Sequence, residues 1–312
     1  MPVSITRHTL FLFTILIAIF VHIPIVIAEP YYQGPESCEE CHEDIYKSWE
    51  KTKHFTSYRT AHKEKNAKKI AEAVGTKKGM KRNKDCIICH YSTKQKKADD
   101  KPKVKNGPSC ESCHGASSDW ESVHSDYGGK KVKKEQEAQD HKVKRINDST
   151  AGGLIWASMH YDLAVNCAKC HGLARQEINE EAFGKMLEAE HPINHSFEIV
   201  MFSQGKMSHW EDKRSKAQLA NLFIAGQAAK LVSASKAASE AKNEKYKEAQ
   251  LKRVSDAVAI LKVIPEAAAL IKSPSDTNAR EMMKAIKEKD LSGLVGKLIP
   301  CAGPDEENLK QC

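Results

Sequence analysis

Apolar residues fall into three regimes along this 312-residue chain. Residues 9–28 are almost wholly apolar and follow Arg7. From 29 to about 210 the apolar runs are short, and Gly34-Pro35, Gly107-Pro108, Gly128-Gly129 and Gly152-Gly153 punctuate them as turns. Segments 94–105 and 130–145 are lysine-rich and nearly without apolar residues, which predicts surface loops or exposed helix. No period-two alternation lasts long enough to build a sheet. From about Glu211 alanine, lysine and glutamate dominate. There Leu219, Leu222, Phe223, Ala229 and Leu231, then Val254, Val258, Leu261 and Val263, recur at helical spacing. Ser273-Pro274-Ser275 ends one helix and a shorter one is predicted near 277–289. The expected fold class is mainly α: short helices and long loops over 29–210, with a C-terminal α-helical extension over 211–312.

The leading segment 1–28 reads as a secretory signal peptide, with Val26-Ile27-Ala28 as a small-residue cleavage site. An uncleaved anchor is the competing reading, since about 20 apolar residues span a bilayer. Either way the remainder is expected to be exported, to a periplasm. Aromatic residues are 6% and charged residues 29% of the chain, poor material for a large apolar core.

Four copies of Cys-x-x-Cys-His change that picture: Cys38–Cys41–His42, Cys86–Cys89–His90, Cys110–Cys113–His114 and Cys167–Cys170–His171. Two thiols three residues apart can each form a thioether to a haem vinyl group, and the histidine that follows is held beneath the iron. Zinc sites use paired cysteines but have no need of a histidine directly after every pair. Four covalent c-type haems are therefore expected, and their porphyrins supply apolar surface that the polypeptide lacks. The chain has a formal charge of +8, which the propionates of four haems, roughly −8 in all, would balance. Nucleic acid is thus not implied. Lysine runs such as Lys130-Lys131-Val132-Lys133-Lys134 are solvated faces or docking patches for an acidic redox partner. Cys301 and Cys312 remain over, free to pair as a structural staple in an oxidising compartment.

What lies on the far side of each iron separates an electron carrier from a catalyst. Outside the leader and the motifs stand His54, His62, His124, His141, His160, His191, His195 and His209, twice the number four haems need. His54 and His124 follow the first and third motifs closely enough to cap a neighbouring haem. His160 precedes the fourth motif, and His209 sits in Lys206-Met207-Ser208-His209-Trp210. His62 and His141 lie in lysine-rich, polar surroundings that predict exposure. Met80, Met159 and Met207 are alternative iron ligands for which packing is the ordinary role.

Trp49-x-x-x-x-His54 after the first motif, Gly107-Pro-Ser-Cys110-Glu-Ser-Cys113-His114-Gly115 around the third, and more loosely Phe197 with Lys206-Met207-Ser208-His209, resemble the tetrahaem cytochrome c-554 family of ammonia-oxidising bacteria. The resemblance covers roughly residues 34–210. It implies a mainly α-helical fold with haems stacked in close pairs, three of them bis-histidine and one five-coordinate. It also implies electrons taken from a hydroxylamine-oxidising enzyme. Carried onto this chain it makes His54, His124 and His209 distal ligands and leaves the haem of Cys86, Cys89 and His90 open. His191 and His195 have no counterpart in the family's pattern, and either is able to cap that second haem. His160, which has a similar neighbour in the family, stays a candidate ligand.

The leading functional expectation is an exported carrier that passes single electrons between a dehydrogenase and a downstream redox protein, free or oligomeric. A haem enzyme reducing nitric oxide or a related nitrogen compound is the second, with Tyr91 or Asp85 as proton donors beside an open iron. A membrane-anchored quinol dehydrogenase is the third, if residues 9–28 are retained.

Overall fold

The computed structural model describes residues 1, 29–75, 77, 79–195, 197–204 and 214–299. The leader, Met207, His209, Cys301 and Cys312 lie outside the described residues. The fold is mainly α: among the described residues there are sixteen α-helices and one two-stranded sheet. None of these helices is long and apolar enough to cross a membrane.

Each motif sits on or at the end of a helical turn, where positions i, i+3 and i+4 share one face. The first straddles helix Glu36–Glu39 and the start of helix Glu43–Glu50. The second fills helix Lys84–His90, whose N-cap Asn83 accepts the Asp85 N–H at 2.9 Å. The third is helix Cys110–His114, closed by a Ser109–Ser112 capping box. The fourth forms the C-terminal half of helix His160–His171. The lysine-rich segment between the second and third motifs folds back as an antiparallel pair, Ser92–Lys94 with Lys103–Asn106, with a bulge between Ser92 and Thr93. Sequence reading missed this pair because three-residue strands carry no visible alternation.

Polar contacts lock the motifs to one another. Ser92 Oγ lies 2.9 Å from Ser112 Oγ and accepts the Ser109 N–H at 3.1 Å, tying the second motif to the third. Trp49 Nε1 donates to Pro108 O at 2.9 Å, which docks the first motif's helix on the loop before the third. Inside the third motif, buried Glu111 accepts from the Gln33, Gly34 and Ser117 amides at 2.8, 2.9 and 3.0 Å, and from Ser117 Oγ at 2.6 Å. Burial pushes its pKa up, and the four donors oppose that rise. Asn166 Nδ2 donates to Cys113 O at 3.0 Å and joins the third motif to the fourth.

The apolar core lies toward the C-terminus. Helix Lys216–Glu240 is apolar nearly all round, with Leu222, Phe223, Ile224 and Leu231 at 0–1% exposure. A helix apolar on every side must be surrounded. It is covered by the fourth-motif helix, by helix Glu244–Leu261 running back along it, and by helices Ile199–Gln204 and Asp276–Ile286. The core around it takes in Tyr161, Ala164, Ile199 and Val200 from before residue 210. Between residues 29 and 160 buried apolar side chains are sparse, chiefly Trp49, Met80, Tyr91, Trp120 and Leu154.

Gly107 marks the tightest backbone approach to a helix that carries a candidate ligand. A Cβ there would lie 1.9 Å from His54 O and 2.5 Å from Ser57 Oγ. Gly107→Ala therefore has to push helix Lys53–Thr60 away. The expected loss is about 1–3 kcal/mol of stability, with a changed Soret band if His54 binds iron. Unfolding midpoints and absorption spectra check both; an unmoved midpoint would show that the loop yields freely.

Candidate haem-binding site

Three of the four motif histidines face a second imidazole. Ring centroids of His42 and His124 are 6.4 Å apart with planes 23° from parallel. His90 and His191 are 5.9 Å apart, and His54 and His171 are also 5.9 Å apart. Imidazole nitrogens on opposite sides of one transition metal lie about 4 Å apart. Adding the half-width of each ring brings the centroids to about 6 Å. The observed spacings match a shared iron and are too wide for direct ring stacking. Groups of three or more His, Cys, Asp or Glu able to hold a bare metal ion are absent among the described residues. The donors come as facing pairs rather than tetrahedral quartets.

Hydrogen bonds on the outer nitrogens fit the same role. His114 Nδ1 donates to Ile155 O at 2.7 Å, His124 Nδ1 to Glu121 O at 2.6 Å, and His191 Nδ1 to Pro192 O at 2.8 Å. A carbonyl on Nδ1 fixes the tautomer with a bare Nε2, the form a metal accepts. Burial, followed by the charges of His191 and His54, brings the His90 pKa down to about 4. Burial, followed by His54 and His90, brings His171 down to about 4 as well. Both rings are thus neutral at pH 7 and ready to ligate. These mutual influences gather His54, His90, His171 and His191 into one region.

The thiols pair in the same way. The thiols of Cys38 in the first motif and Cys110 in the third influence one another's titration, as do those of Cys89 in the second and Cys170 in the fourth. Attachment points that lie near one another would bring the attached groups close, first with third and second with fourth. Between the second motif and its surroundings opens a cavity of about 470 Å³ that Cys86, Cys89, His90 and His191 all line. Its apolar walls include Ile70, Met80, Leu173 and Phe183. Met80 is thus a wall residue here. The Arg175 guanidinium reaches the Cys89 and Cys170 thiols, and its Nε is buried with no hydrogen-bond partner. The same guanidinium pairs with Glu177 Oε1 through Nη1 at 3.2 Å, and its bare Nε beside two attachment points suits a propionate. The residues present fit haem: Cys38, Cys41, Cys86, Cys89, Cys110, Cys113, Cys167 and Cys170 to attach it, the imidazoles to ligate it.

The other candidates are engaged differently. His160 accepts from Arg214 Nη1 through Nε2 at 3.0 Å, and the ring opposite His90 is His191. His141 Nδ1 bonds Glu137 Oε1 at 2.8 Å, alongside the Arg145–Glu137 ion pair at 2.7 Å. That arginine also donates to His124 O at 2.9 Å and steadies a facing imidazole. His62 is exposed. His195 is half-buried, with the charges of Lys252, Asp256, Arg253 and Lys230 around it. Asp85 lines the second-motif cavity, whereas the Tyr91 hydroxyl is buried without a hydrogen-bond partner and its pKa is pushed up to about 12 by burial. His191 offered no motif to sequence reading. Its one signal was the surplus of histidines over need.

Burial, reinforced by the Arg214 charge, holds the His160 pKa down to about 4. Unfolded, the ring takes its proton near about 6.5. Its contribution to stability is full above the unfolded pKa and is lost as pH falls from there through the folded one. His160→Gln should flatten the decline in unfolding midpoint over that window. An acid limb identical to wild type would exclude this origin.

Residues 37–115, a quarter of the chain with the first three motifs, match the family described as cytochrome c554 and c-prime. No curated protein and no solved structure matches the chain. With the mainly helical fold and thiols and imidazoles arranged for covalent haem, the matched segment is similar to the c554-type cytochromes, c-type cytochromes of electron transfer.

Proposed function

We propose that the protein is an exported four-haem electron carrier. It passes single electrons between a periplasmic dehydrogenase, of hydroxylamine-oxidising type by resemblance, and a downstream carrier. The observation that carries this reading is the facing of imidazoles about 6 Å apart, a pair of residues that would hold an iron and leave it no open position. The proposed ligand pairs are His42 with His124, His90 with His191, and His171 with His54. His209, a distal ligand by the resemblance, lies outside the described residues. Bound haem supplies a one-electron couple. The chain would hold the couples close where Cys38 lies near Cys110 and Cys89 near Cys170, and it braces the fourth motif with helices Lys216–Glu240 and Glu244–Leu261.

A reductase needs an open iron and a proton donor. Against it stand His191 opposite His90 and the Tyr91 pKa of about 12. Export is supported by the apolar leader together with the four attachment motifs.

The intact mass of purified protein counts covalent haems and reads the mature N-terminus. Electron paramagnetic resonance of the oxidised form reads spin state. The expected result is four haems, all low-spin, on a chain lacking residues 1–28. Fewer than four haems would sink the carrier as drawn, and a high-spin signal near a quarter of the haem would revive the reductase. Retention of residues 1–28 would favour the anchored quinol dehydrogenase.

A further inference from the structure

The C-terminal hairpin carries chemistry that its sequence hides. Helix Glu244–Leu261 sends three side chains to the end of the fourth-motif helix, one and two residues past His171. Tyr246 OH donates to Leu173 O at 2.6 Å, and Gln250 Nε2 to Gly172 O at 2.9 Å. Arg253 Nη1 donates to Gly172 O at 3.2 Å and to Gln250 Oε1 at 2.7 Å, and its Nη2 to Ser233 Oγ at 3.4 Å. The guanidinium lies so close to the backbone that a Cβ on Gly172 would fall 2.2 Å from Nη2.

Arg253 is 3% exposed, and its hydrogen-bond partners are all uncharged. Burying a cation without a counter-ion is costly. Tyr246 and Gln250 already bond the same carbonyls, so tethering gives no reason for a charge. A cavity of about 20 Å³, enough for a single water, is lined by His171, Arg253 and Lys230 together. Lys230 is half-buried and directed at His195 O at 3.5 Å. The one carboxylate in that lining is Glu198. Burial pushes its pKa up, and beyond the lining Asp256 also acts on Lys230, so two carboxylates stand near the two cations. Burial brings Arg253 down to about 10, which leaves it protonated near neutral pH.

We propose that Arg253, with Lys230 beside it, is a redox-tuning charge: lining one small cavity with His171, the two cations raise the reduction potential of the haem that this histidine would ligate. The inference rests on the reading of His171 as a haem ligand. Ferric haem carries one more positive charge than ferrous, so fixed cations nearby disfavour the oxidised form. Low dielectric around a buried charge strengthens the effect. The hairpin then acts as a positioning element that makes the fourth haem a preferred resting place for the electron.

The test is an optical redox titration of the holoprotein and of Arg253→Met, Lys230→Met, Arg253→Lys and Tyr246→Phe, each with its haems counted by mass. Arg253→Met and Lys230→Met are each expected to lower one and the same midpoint potential and to leave the other three. Arg253→Lys should hold wild-type values, and Tyr246→Phe, which removes an uncharged tether, should move none. Should Arg253→Met fail to fold, Lys230→Met decides alone. Unchanged potentials in a variant with four haems, or an equal drop in Tyr246→Phe, would overturn the proposal. A wild-type protein lacking its fourth haem would instead sink the underlying ligand reading.

Discussion

Replacing His191 with alanine is expected to convert about a quarter of the haem from low-spin to high-spin and to let added cyanide bind there. The effect is large because the change is all-or-none at one iron. His191 is the ring opposite His90, 5.9 Å away, and Pro192 O fixes its tautomer. The lining of the cavity around them presents no imidazole besides these two. The family resemblance implied an open iron at this same motif, so the variant would recreate the five-coordinate state there. Electron paramagnetic resonance with a cyanide titration reads the outcome. An unchanged low-spin spectrum would mean that another residue, His195 foremost, caps the second haem. His160→Ala is the matched control and should leave the spin state alone, because that ring is engaged with Arg214.

The second large effect concerns stability. Phe223 is 1% exposed at the centre of the long helix, amid Leu222, Ile224 and the residues packed around them. Phe223→Ala leaves a cavity that a helix enclosed on all sides cannot collapse to fill, and about 3–5 kcal/mol of stability should go. Chemical unfolding of the holoprotein followed by far-ultraviolet circular dichroism measures it. A loss below about 1 kcal/mol would mean that the neighbouring helices move in, contrary to close packing. The cost also bears on the proposed electron transfer, since helix His160–His171 packs on this same helix and ends at the proposed ligand His171.

The contrast between the two halves of the fold has a physical origin. Before residue 160 few apolar side chains are buried, and polar bonds through Glu111, Ser92 and Trp49 hold the motifs together. After it, alanine and leucine build an ordinary core around one helix. The proposed haems would supply the apolar surface that the first half lacks. The junction of the two halves is the fourth motif, which belongs to both.

Sequence by itself determined the covalent chemistry. Four Cys-x-x-Cys-His units are local, and three residues on one helical turn carry their meaning without any fold around them. It determined the helical class too, because apolar spacing from Leu219 to Leu261 reads the same in isolation as in the bundle. Tertiary structure alone decided which histidine meets which: His42 finds His124 and His54 finds His171, with eighty or more residues between partners. No local pattern encodes such pairings, since they depend on how loops close and helices pack. The same holds for Arg253, one basic residue on a lysine-rich helix until folding buries it against Gly172. Chemistry held within one turn is legible along the chain, and chemistry made by elements far apart exists only once they meet.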